Sequence, residues 1–374
     1  MEIMRTRTII VAAAMLLAAV TAQAETVEYT AVNIGSLGGS GGTYGAAINN
    51  SGTVVGGSYL PNGNEVAFSY SNGTMTDLGT LGGAGSFADA INAAGTIVGG
   101  SFIPNGNDVP FSYSNGTMTA LSIGALHGYT AATGINNAGI IVGAGYVNPN
   151  TYSQPYESFI YDDGSYTIVS NPGGTTTAQG INNAGTVAGG YALNYSNFFW
   201  DPFTYSNGTF ASLGAFGPAW VTYALAINDS DVIVGYYSNP GSNYGANAFS
   251  YSNGTYTALG TLPGGSSAKA DAVNNAGVIV GQSTTANSGG NNDAFVLIDG
   301  VMFDLNSQLF NTLPTTLTNA TAINDKGQIV ALGSDGDTYL LTPASGNSPV
   351  PEPASLWLLA TGGLCLLRRR QSRC

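Results

Sequence analysis

Hydrophobic and polar residues alternate along short segments of this chain, and the segments recur in a fixed order. Residues 86–122 show the pattern well, with segments at 86–91, 96–102, 109–113 and 117–122 separated by turns rich in Asn and Gly. Short segments with a period of two are typical of β-strands, and turns this closely spaced leave little room for helices. The Asn-Gly pair at 115–116 favours a hairpin turn. Each unit therefore predicts four antiparallel strands.

The turn between the first two strands of each unit carries the most regular sequence, Ala/Gly-Ile-Asn-Asn-x-Gly-x-Ile-Val-Gly. Seven copies occur, and their first asparagines are Asn49, Asn92, Asn136, Asn182, Asn228, Asn274 and Asn324. Four antiparallel strands in a unit of this length match one blade of a β-propeller. We interpret the Asn-Asn-x-Gly segments as tight turns, with Asn and Gly in left-handed conformations, rather than as metal-binding loops.

The two ends of the repeat region complement each other. Residues 28–34 resemble the fourth strand of a unit but precede the first repeat, whereas the last repeat, 322–342, lacks a fourth strand. The two parts complete one blade if the chain closes into a ring, which also removes exposed sheet edges. We therefore predict an all-β fold, a seven-bladed β-propeller over residues 25–343 closed by its N-terminal strand. An open β-solenoid is the alternative and explains the unpaired strand less well.

Strand order predicts two unlike faces. With the fourth strand outermost, the Asn-Asn-x-Gly and Ser-Asn-Gly turns lie on one face, and the variable loops between second and third strands lie on the other. Variable loops on a rigid scaffold are where binding usually occurs. Two of them, 147–156 and 192–200, are rich in aromatic residues. The candidate ligand-facing residues are Tyr152, Tyr156, Tyr195, Trp200 and Tyr244.

Charge excludes several classes of partner. Between the two ends, residues 25–343 hold two lysines against nineteen carboxylates, a net charge of −17. Such a surface repels phosphate backbones and anionic lipids, so we expect no nucleic-acid partner. Six of the variable loops end next to an acidic residue, at Glu65, Asp108, Glu157, Asp201, Asp293 and Asp337. These positions are too far apart to share one metal, so we predict a solvated acidic rim with no metal site and no cofactor; separate Ca²⁺ sites are the alternative.

Catalytic chemistry finds little support in the residue types present. The chain has one histidine, His127, and both cysteines, Cys365 and Cys374, lie near its C-terminus. No Ser or Thr lies in a nucleophile motif. We predict no catalytic residue and a non-enzymatic protein; a glycosidase that uses two carboxylates is the alternative.

The N-terminus predicts export. Arg5 and Arg7 precede an apolar run at 9–20, and Ala22-Gln23-Ala24 forms a small-x-small cleavage site. This order is typical of a signal peptide over residues 1–24. An uncleaved membrane helix is the alternative, but the run is short for a span.

The C-terminus has three parts, which follow a linker at 344–349. Val350, Pro351, Glu352 and Pro353 come first, an apolar stretch at 356–367 follows, and Arg368, Arg369 and Arg370 close it. As a helix the apolar stretch would reach roughly 18 Å, short of a ~30 Å bilayer core, and its arginines would stay on the cytoplasmic side. We predict a short transmembrane helix that anchors the protein transiently.

This three-part order over residues 350–374 resembles the PEP-CTERM sorting signal of Gram-negative bacteria. The resemblance implies export through the inner membrane, processing by an exosortase-type membrane transpeptidase, and a final location at the cell surface or outside the cell.

The third strands carry a second resemblance. Ala67-Phe68-Ser69-Tyr70 and Ala248-Phe249-Ser250-Tyr251 are similar to the HAF family of bacterial extracellular repeats, over residues 28–342. The His that names the family is replaced here, at Val66, Val109, Glu157, Asp201, Asn247, Asp293 and Asp337. The resemblance implies a surface or secreted protein and brings no established activity.

Together these observations favour an exported, non-enzymatic binding or matrix module that engages exopolysaccharide through its Tyr and Trp side chains. A passive structural coat protein is the alternative.

Overall fold

The computed structural model describes residues 27–344, except 125, 127–128, 148–155, 172–173, 193–198, 220, 240–244 and 287–290. This part of the chain forms 28 β-strands and one short 3₁₀ helix, and the strands make seven four-stranded antiparallel sheets. The sheets are the blades of a propeller, which confirms the predicted fold. No helix among these residues is long and apolar enough to cross a membrane. The predicted signal peptide at 1–24 and the sorting segment at 350–374 lie outside the described residues.

Each of the first six blades is built from four consecutive strands, numbered from the inner to the outer strand. Blade 1 contains β2 (Thr43–Ile48), β3 (Val54–Tyr59), β4 (Glu65–Ser71) and β5 (Thr74–Asp77). Blade 2 contains β6 (Ser86–Ile91), β7 (Ile97–Phe102), β8 (Asp108–Ser114) and β9 (Thr117–Ala120). Blade 3 contains β10 (Ala131–Ile135), β11 (Ile141–Tyr146), β12 (Tyr156–Asp162) and β13 (Ser165–Val169).

Blade 4 contains β14 (Thr175–Ile181), β15 (Val187–Ala192), β16 (Asp201–Ser206) and β17 (Thr209–Ser212). Blade 5 contains β18 (Val221–Ile227), β19 (Ile233–Ser238), β20 (Asn247–Ser252) and β21 (Thr255–Gly260). Blade 6 contains β22 (Ala268–Val273), β23 (Ile279–Thr284), β24 (Asn292–Ile298) and β25 (Val301–Asp304).

Blade 7 joins the two ends of the repeat region. Its inner strands are β26 (Leu317–Ile323), β27 (Ile329–Gly333) and β28 (Thr338–Pro343), and its outermost strand is β1 (Tyr29–Asn33). Strand β1 pairs with β28 over five residues, from Tyr29 opposite Pro343 to Asn33 opposite Tyr339. The N-terminal strand therefore closes the ring, as predicted, and the solenoid alternative is wrong.

The outer edge of the closing strand is itself covered. The amide of Asn311 takes the place of a neighbouring strand: its Oδ1 accepts from the Ala31 N–H at 2.9 Å, and its Nδ2 donates to the Ala31 carbonyl at 3.0 Å. The Phe310 N–H donates to the Tyr29 carbonyl at 2.8 Å. Since an unpaired edge invites pairing with another chain, this segment protects blade 7 from aggregation.

The hydrophobic core lies between blades. The third-strand phenylalanines are fully buried: Phe68, Phe111, Phe159, Phe203, Phe249 and Phe295. One cluster joins Val55 and Ala67 of blade 1 to Ala88, Ile97 and Phe111 of blade 2. Burying one such phenylalanine contributes about 1.5–3 kcal/mol, so blade-to-blade contacts hold the ring together in the absence of disulfides between 27 and 344.

The first asparagines of the seven turns form a closed ring around the axis. Each Nδ2 donates to the backbone carbonyl of the equivalent asparagine in the next blade, at 2.9–3.2 Å, and Asn324 completes the circle by donating to Asn49. Each Oδ1 accepts from the backbone N–H four residues later. These asparagines are only 3–6 % exposed. One residue type therefore shapes every turn and links every pair of neighbouring blades.

The second asparagines form an outer, incomplete ring. The backbone N–H of the residue at this position donates to the side-chain oxygen of the equivalent residue in the next blade. The Asn137 N–H, for example, donates to Asn183 Oδ1 at 2.9 Å. In blade 2 the position is Ala93, which cannot accept such a bond. The predicted left-handed asparagines are wrong for these turns, because the positive φ falls on the later Gly, as at Gly139 (φ 89°), or on Asp231 (φ 57°). The left-handed asparagines are those of the Ser-Asn-Gly turns, such as Asn72 (φ 50°).

Candidate functional site in the central channel

The inner strands share an irregularity that sets the lining of the central channel. Every inner strand carries a register shift at the same place, three residues before its ring asparagine. The residue left unpaired by this bulge is Ala46, Asp89, Thr133, Gln179, Leu225, Asp271 or Thr321 in blades 1 to 7. A bulge re-aims a side chain. All seven line one cavity of about 260 Å³, together with Tyr44 and Asn319.

An apolar belt separates this cavity from the asparagine rings. It consists of the residues just before the ring asparagines: Ile48, Ile91, Ile135, Ile181, Ile227, Val273 and Ile323. The rings and the belt line a second axial cavity of about 250 Å³ at the turn face. The belt is apolar in all seven blades, whereas the bulge residues differ. The polar and charged groups of the channel therefore lie at the level of the bulge residues, which differ from blade to blade.

Two carboxylates lie at the bulge level. Burial raises the pKa of Asp89 to about 7, and the nearby charge of Glu65 adds to this effect. Burial also raises the pKa of Asp271 to about 6, against the opposing effects of Lys269 and a hydrogen bond from Asn319. Both side chains keep some contact with the cavity although they lie deep in the protein.

Two oxygens on the same side of the cavity are buried without a donor. Within the described part of the chain, Asp271 Oδ2 and Asn319 Oδ1 have no hydrogen-bond partner. Asp271 belongs to blade 6 and Asn319 to the adjacent blade 7, and both line the channel cavity. A buried acceptor without a donor costs about 1–3 kcal/mol, so this wall is suited to a ligand that brings donors.

Aromatic side chains cluster near the loops that connect the second and third strands. In blade 3 the Tyr156 and Tyr146 rings meet edge to face, with centroids 4.9 Å apart, and Tyr129 packs on Tyr146 at 6.3 Å. Burial raises the pKa of Tyr156 to about 12, and interactions with Tyr146, Tyr223, Asp108 and Asp89 raise it further. Tyr156 therefore belongs to an aromatic cluster of blade 3, and its role in ligand binding stays a prediction.

A second aromatic group lies in blades 4 and 5. Trp200 packs edge to face on Tyr223, with centroids 5.4 Å apart, and Tyr223 stacks on Tyr236 at 6.0 Å. The Tyr223 hydroxyl bonds to Thr177 and accepts from Gln179 Nε2 at 3.1 Å, which connects this group to the bulge level. Lys269 of blade 6 places its ammonium 4.8 Å from the centre of the Tyr236 ring. Trp200 is therefore connected to the channel lining through Tyr223, and its role in ligand binding stays a prediction.

The other predicted site residues have different outcomes. Tyr152, Tyr195 and Tyr244 lie outside the described residues, as do Val350, Pro351, Glu352, Pro353, Arg368, Arg369 and Arg370. The predicted acidic rim is only partly solvated: Asp108 is 8 % exposed, and burial raises the pKa of Glu65, Asp108 and Asp201. Among the described residues no three His, Cys, Asp or Glu side chains are grouped as a metal site.

The channel carboxylates predict a pH-dependent stability. Their native pKa values lie above the unfolded value near 3.8, so the native state binds more protons between pH 4 and 7, and stability falls as pH rises through that range. Asp89→Asn should match the wild type near pH 4 and exceed its free energy of unfolding by about 4 kcal/mol at pH 7.5, since each pKa unit corresponds to about 1.4 kcal/mol.

Urea unfolding followed by circular dichroism from pH 4 to pH 8 measures this difference. The exposed turn residue Asp163 provides the control, since Asp163→Asn installs the residue that other blades carry there. An Asp89→Asn curve parallel to that of the wild type would contradict the assignment of Asp89 as a carboxylate whose charge is disfavoured by desolvation.

Comparison with known proteins adds one sequence match. Residues 349–371 match the model described as the PEP-CTERM protein-sorting motif. This match confirms the sorting signal and indicates an exported protein that is sorted to the cell surface. A search of the curated proteins finds no match. The HAF-type resemblance stays a prediction.

Comparison with solved structures shows the fold alone. The chain is similar to a prolyl endopeptidase, with a TM-score of 0.52 and 10% identity over 87% of this chain and 51% of that one. It is similar to the acylaminoacyl peptidase of Pyrococcus horikoshii, with a TM-score of 0.50 and 8% identity over 85% of this chain and 54% of that one. The chain therefore spans about half the length of these peptidases.

Proposed function

We propose that this exported propeller is a non-enzymatic module that binds a glycan, such as an exopolysaccharide, at the loop-face mouth of its central channel. The main support is the presence of two aromatic groups, one around Tyr156 in blade 3 and the other around Trp200 in blades 4 and 5. Aromatic faces contact the C–H face of sugars, and the amides and carboxylates below them offer partners for sugar hydroxyls. A concave site with apolar walls and a few polar groups at its base suits such a ligand.

A binding role accounts for the channel carboxylates better than catalysis does. A carboxylate-pair glycosidase needs an acid and a base that act together on one bond. Asp89 and Asp271 respond to different neighbours, Glu65 for one and Lys269 for the other. We propose no catalytic residue and no cofactor.

Display at the cell surface forms the second part of the proposal. The sorting motif implies recognition by an exosortase-type membrane enzyme, with residues 356–367 holding the chain in the membrane until it is processed. The propeller then reaches the surface or the medium, where extracellular polysaccharide is the abundant ligand class. A net charge of −17 over 25–343 keeps it away from anionic lipid.

The glycan proposal is tested by a glycan array and by titration of any retained sugar. Trp200→Ala and Tyr156→Ala should each weaken binding about tenfold or more, because aromatic anchors carry a large share of binding energy, and 1.4 kcal/mol is tenfold. Tyr166→Ala is the matched control: Tyr166 is 40% exposed but lies on β13, the outermost strand of blade 3, away from the mouth.

Two results would contradict this proposal. If the wild-type protein retains no glycan on the array, the passive coat alternative is favoured. If a sugar is retained but the two mouth variants bind it as tightly as Tyr166→Ala does, the sugar binds elsewhere on the propeller.

A further inference from the structure

The channel cavity carries an unbalanced negative charge. Asp89 and Asp271 lie on its wall, and the nearest described cation is Lys269, two residues before Asp271 on the same strand. The Lys269 ammonium lies over the Tyr236 ring, 4.8 Å from its centre. It lowers the pKa of Asp271 without restoring the normal value, and Asp89 has no cation among the groups that shift its pKa. The cavity therefore favours a positively charged occupant.

The buried oxygens define the hydrogen-bonding needs of that occupant. Asp271 Oδ2 and Asn319 Oδ1 are acceptors with no donor in the described part of the protein. An ammonium group carries three N–H donors and a full positive charge, so it can satisfy both oxygens and offset the carboxylate. A Ca²⁺ ion needs six to eight oxygen ligands, whereas no group of three acidic or histidine side chains occurs among the residues described.

The aromatic lining also suits a cation. Tyr44 lines the cavity, and its pKa is raised by burial and by the charges of Asp271 and Asp89, so its ring lies near both carboxylates. Tyr223 and Tyr236 stack at the mouth above. Ring faces attract ammonium groups, and the contact between Lys269 and Tyr236 is an instance of this attraction within the channel itself.

We propose that the channel binds a primary ammonium group, held by Asp271 Oδ2 and Asn319 Oδ1 beneath the tyrosines of the mouth. Two sources share this chemistry: a free polyamine, and an amino sugar with an unsubstituted amine at the end or side of a glycan. The amino-sugar source rests on the glycan-binding function proposed above and narrows its ligand class. The ammonium site itself does not depend on that function.

Isothermal titration at pH 6.5 and 0.15 M NaCl separates these sources, because amino-sugar amines and the Asp271 carboxylate both carry charge at that pH. The probes are glucosamine oligomers, their N-acetylated counterparts, spermidine and CaCl₂. The proposal expects glucosamine oligomers or spermidine to bind, and N-acetylation to weaken oligomer binding at least tenfold because it removes the charge. Asp271→Asn should weaken ammonium binding at least tenfold, and Asp163→Asn should leave it unchanged.

The variant is expected to fold, because Asn keeps the volume of Asp271 and removes a charge that desolvation disfavours; a thermal unfolding curve checks this. Asn319→Leu removes the second acceptor and should also weaken binding.

Spermidine binding without glycan binding would support the ammonium site and contradict the glycan function. Equal binding of acetylated and free oligomers, unchanged in Asp271→Asn but lost in Trp200→Ala, would overturn the ammonium site and leave the glycan function standing. Failure of both amines to bind, or Ca²⁺ binding that Asp271→Asn abolishes, would also overturn it.

Discussion

A chain that begins at residue 35 is expected to lose the cooperative unfolding transition of the propeller, whereas a chain that begins at residue 27 keeps it. The difference between the two chains is the closing strand. Tyr29 is fully buried among residues that include Leu305, Leu317 and Leu341, and the strand pairs with β28 along five residues. Losing a buried aromatic side chain alone costs about 3–5 kcal/mol, comparable with the lower end of total domain stability.

Thermal unfolding followed by circular dichroism, with size-exclusion chromatography, measures the loss. A peptide of residues 25–36 added in trans should restore the transition, because it returns the fourth strand to blade 7. The same peptide with Tyr29→Ala should fail to restore it. A peptide with Tyr29→Phe should still work, since the Tyr29 hydroxyl is buried with no partner among the described residues and contributes no bond.

Equal melting temperatures for the chains that begin at 27 and 35 would contradict this account. The ring would then be held by contacts between blades 1 and 7 alone, such as the Thr321 hydroxyl donating to the Gly45 carbonyl at 2.7 Å. The pairing of β1 with β28 would then be part of the topology but would contribute little to stability.

The fold could be predicted from the sequence because its decisive features are local or countable. Alternation marks each strand, and the unpaired segment at 28–34 becomes β1 at Tyr29–Asn33. The Phe residues of the third strands are buried as the alternation requires, for example Phe68. Counting strands requires no knowledge of how one repeat contacts the next.

The candidate site was harder to predict because it depends on contacts between repeats. Asp89 and Asp271 lie 182 residues apart in the chain, and only ring closure brings them to one cavity. The bulge also breaks the two-residue alternation at the lining residue itself. The alternation of hydrophobic and polar residues therefore does not predict which way that side chain points. A signal was nevertheless present: the residue between the small residues just before each ring turn varies freely, as in Ala88-Asp89-Ala90 and Ala270-Asp271-Ala272. A variable position inside a regular motif indicates a lining residue.

The link that the ring asparagines make between blades could not be predicted either, because it also depends on contacts between repeats. A single Asn-Asn-x-Gly copy is fully explained as a turn, because the Oδ1 bond to the backbone four residues later is local. The Nδ2 bond is not: Asn136 donates to the carbonyl of Asn182, 46 residues away. Identity at the first position in all seven copies, against Ala93 at the second position of one copy, distinguishes the two roles.

Asn136→Ala is expected to destabilise the propeller by about 3 kcal/mol, and Asn137→Ala by about 0.5 kcal/mol. The first change removes the acceptor of the Ala138 and Ile140 N–H groups, at 3.1 and 3.0 Å, and the donor to Asn182 at 3.2 Å. Each polar group left buried and unpaired costs about 1–3 kcal/mol. Asn137 is exposed, and among the described residues its side chain accepts one bond, from the Ala93 N–H at 3.0 Å. Urea unfolding of the two variants measures the difference.

Asn136→Asp distinguishes the contribution of the hydrogen bonds within the turn from that of the hydrogen bond to the next blade. An aspartate keeps the oxygen that caps the turn but replaces the donor with an acceptor, which then faces the Asn182 carbonyl. The carboxylate is repelled by that carbonyl, whereas its protonated form donates to it, so this variant should be weaker at pH 8 than at pH 5 relative to the wild type. If Asn136→Asp has wild-type stability at both pH values, the link between blades contributes nothing and the turn alone explains the sevenfold asparagine. A loss confined to high pH instead assigns the asparagine ring a share in holding neighbouring blades together.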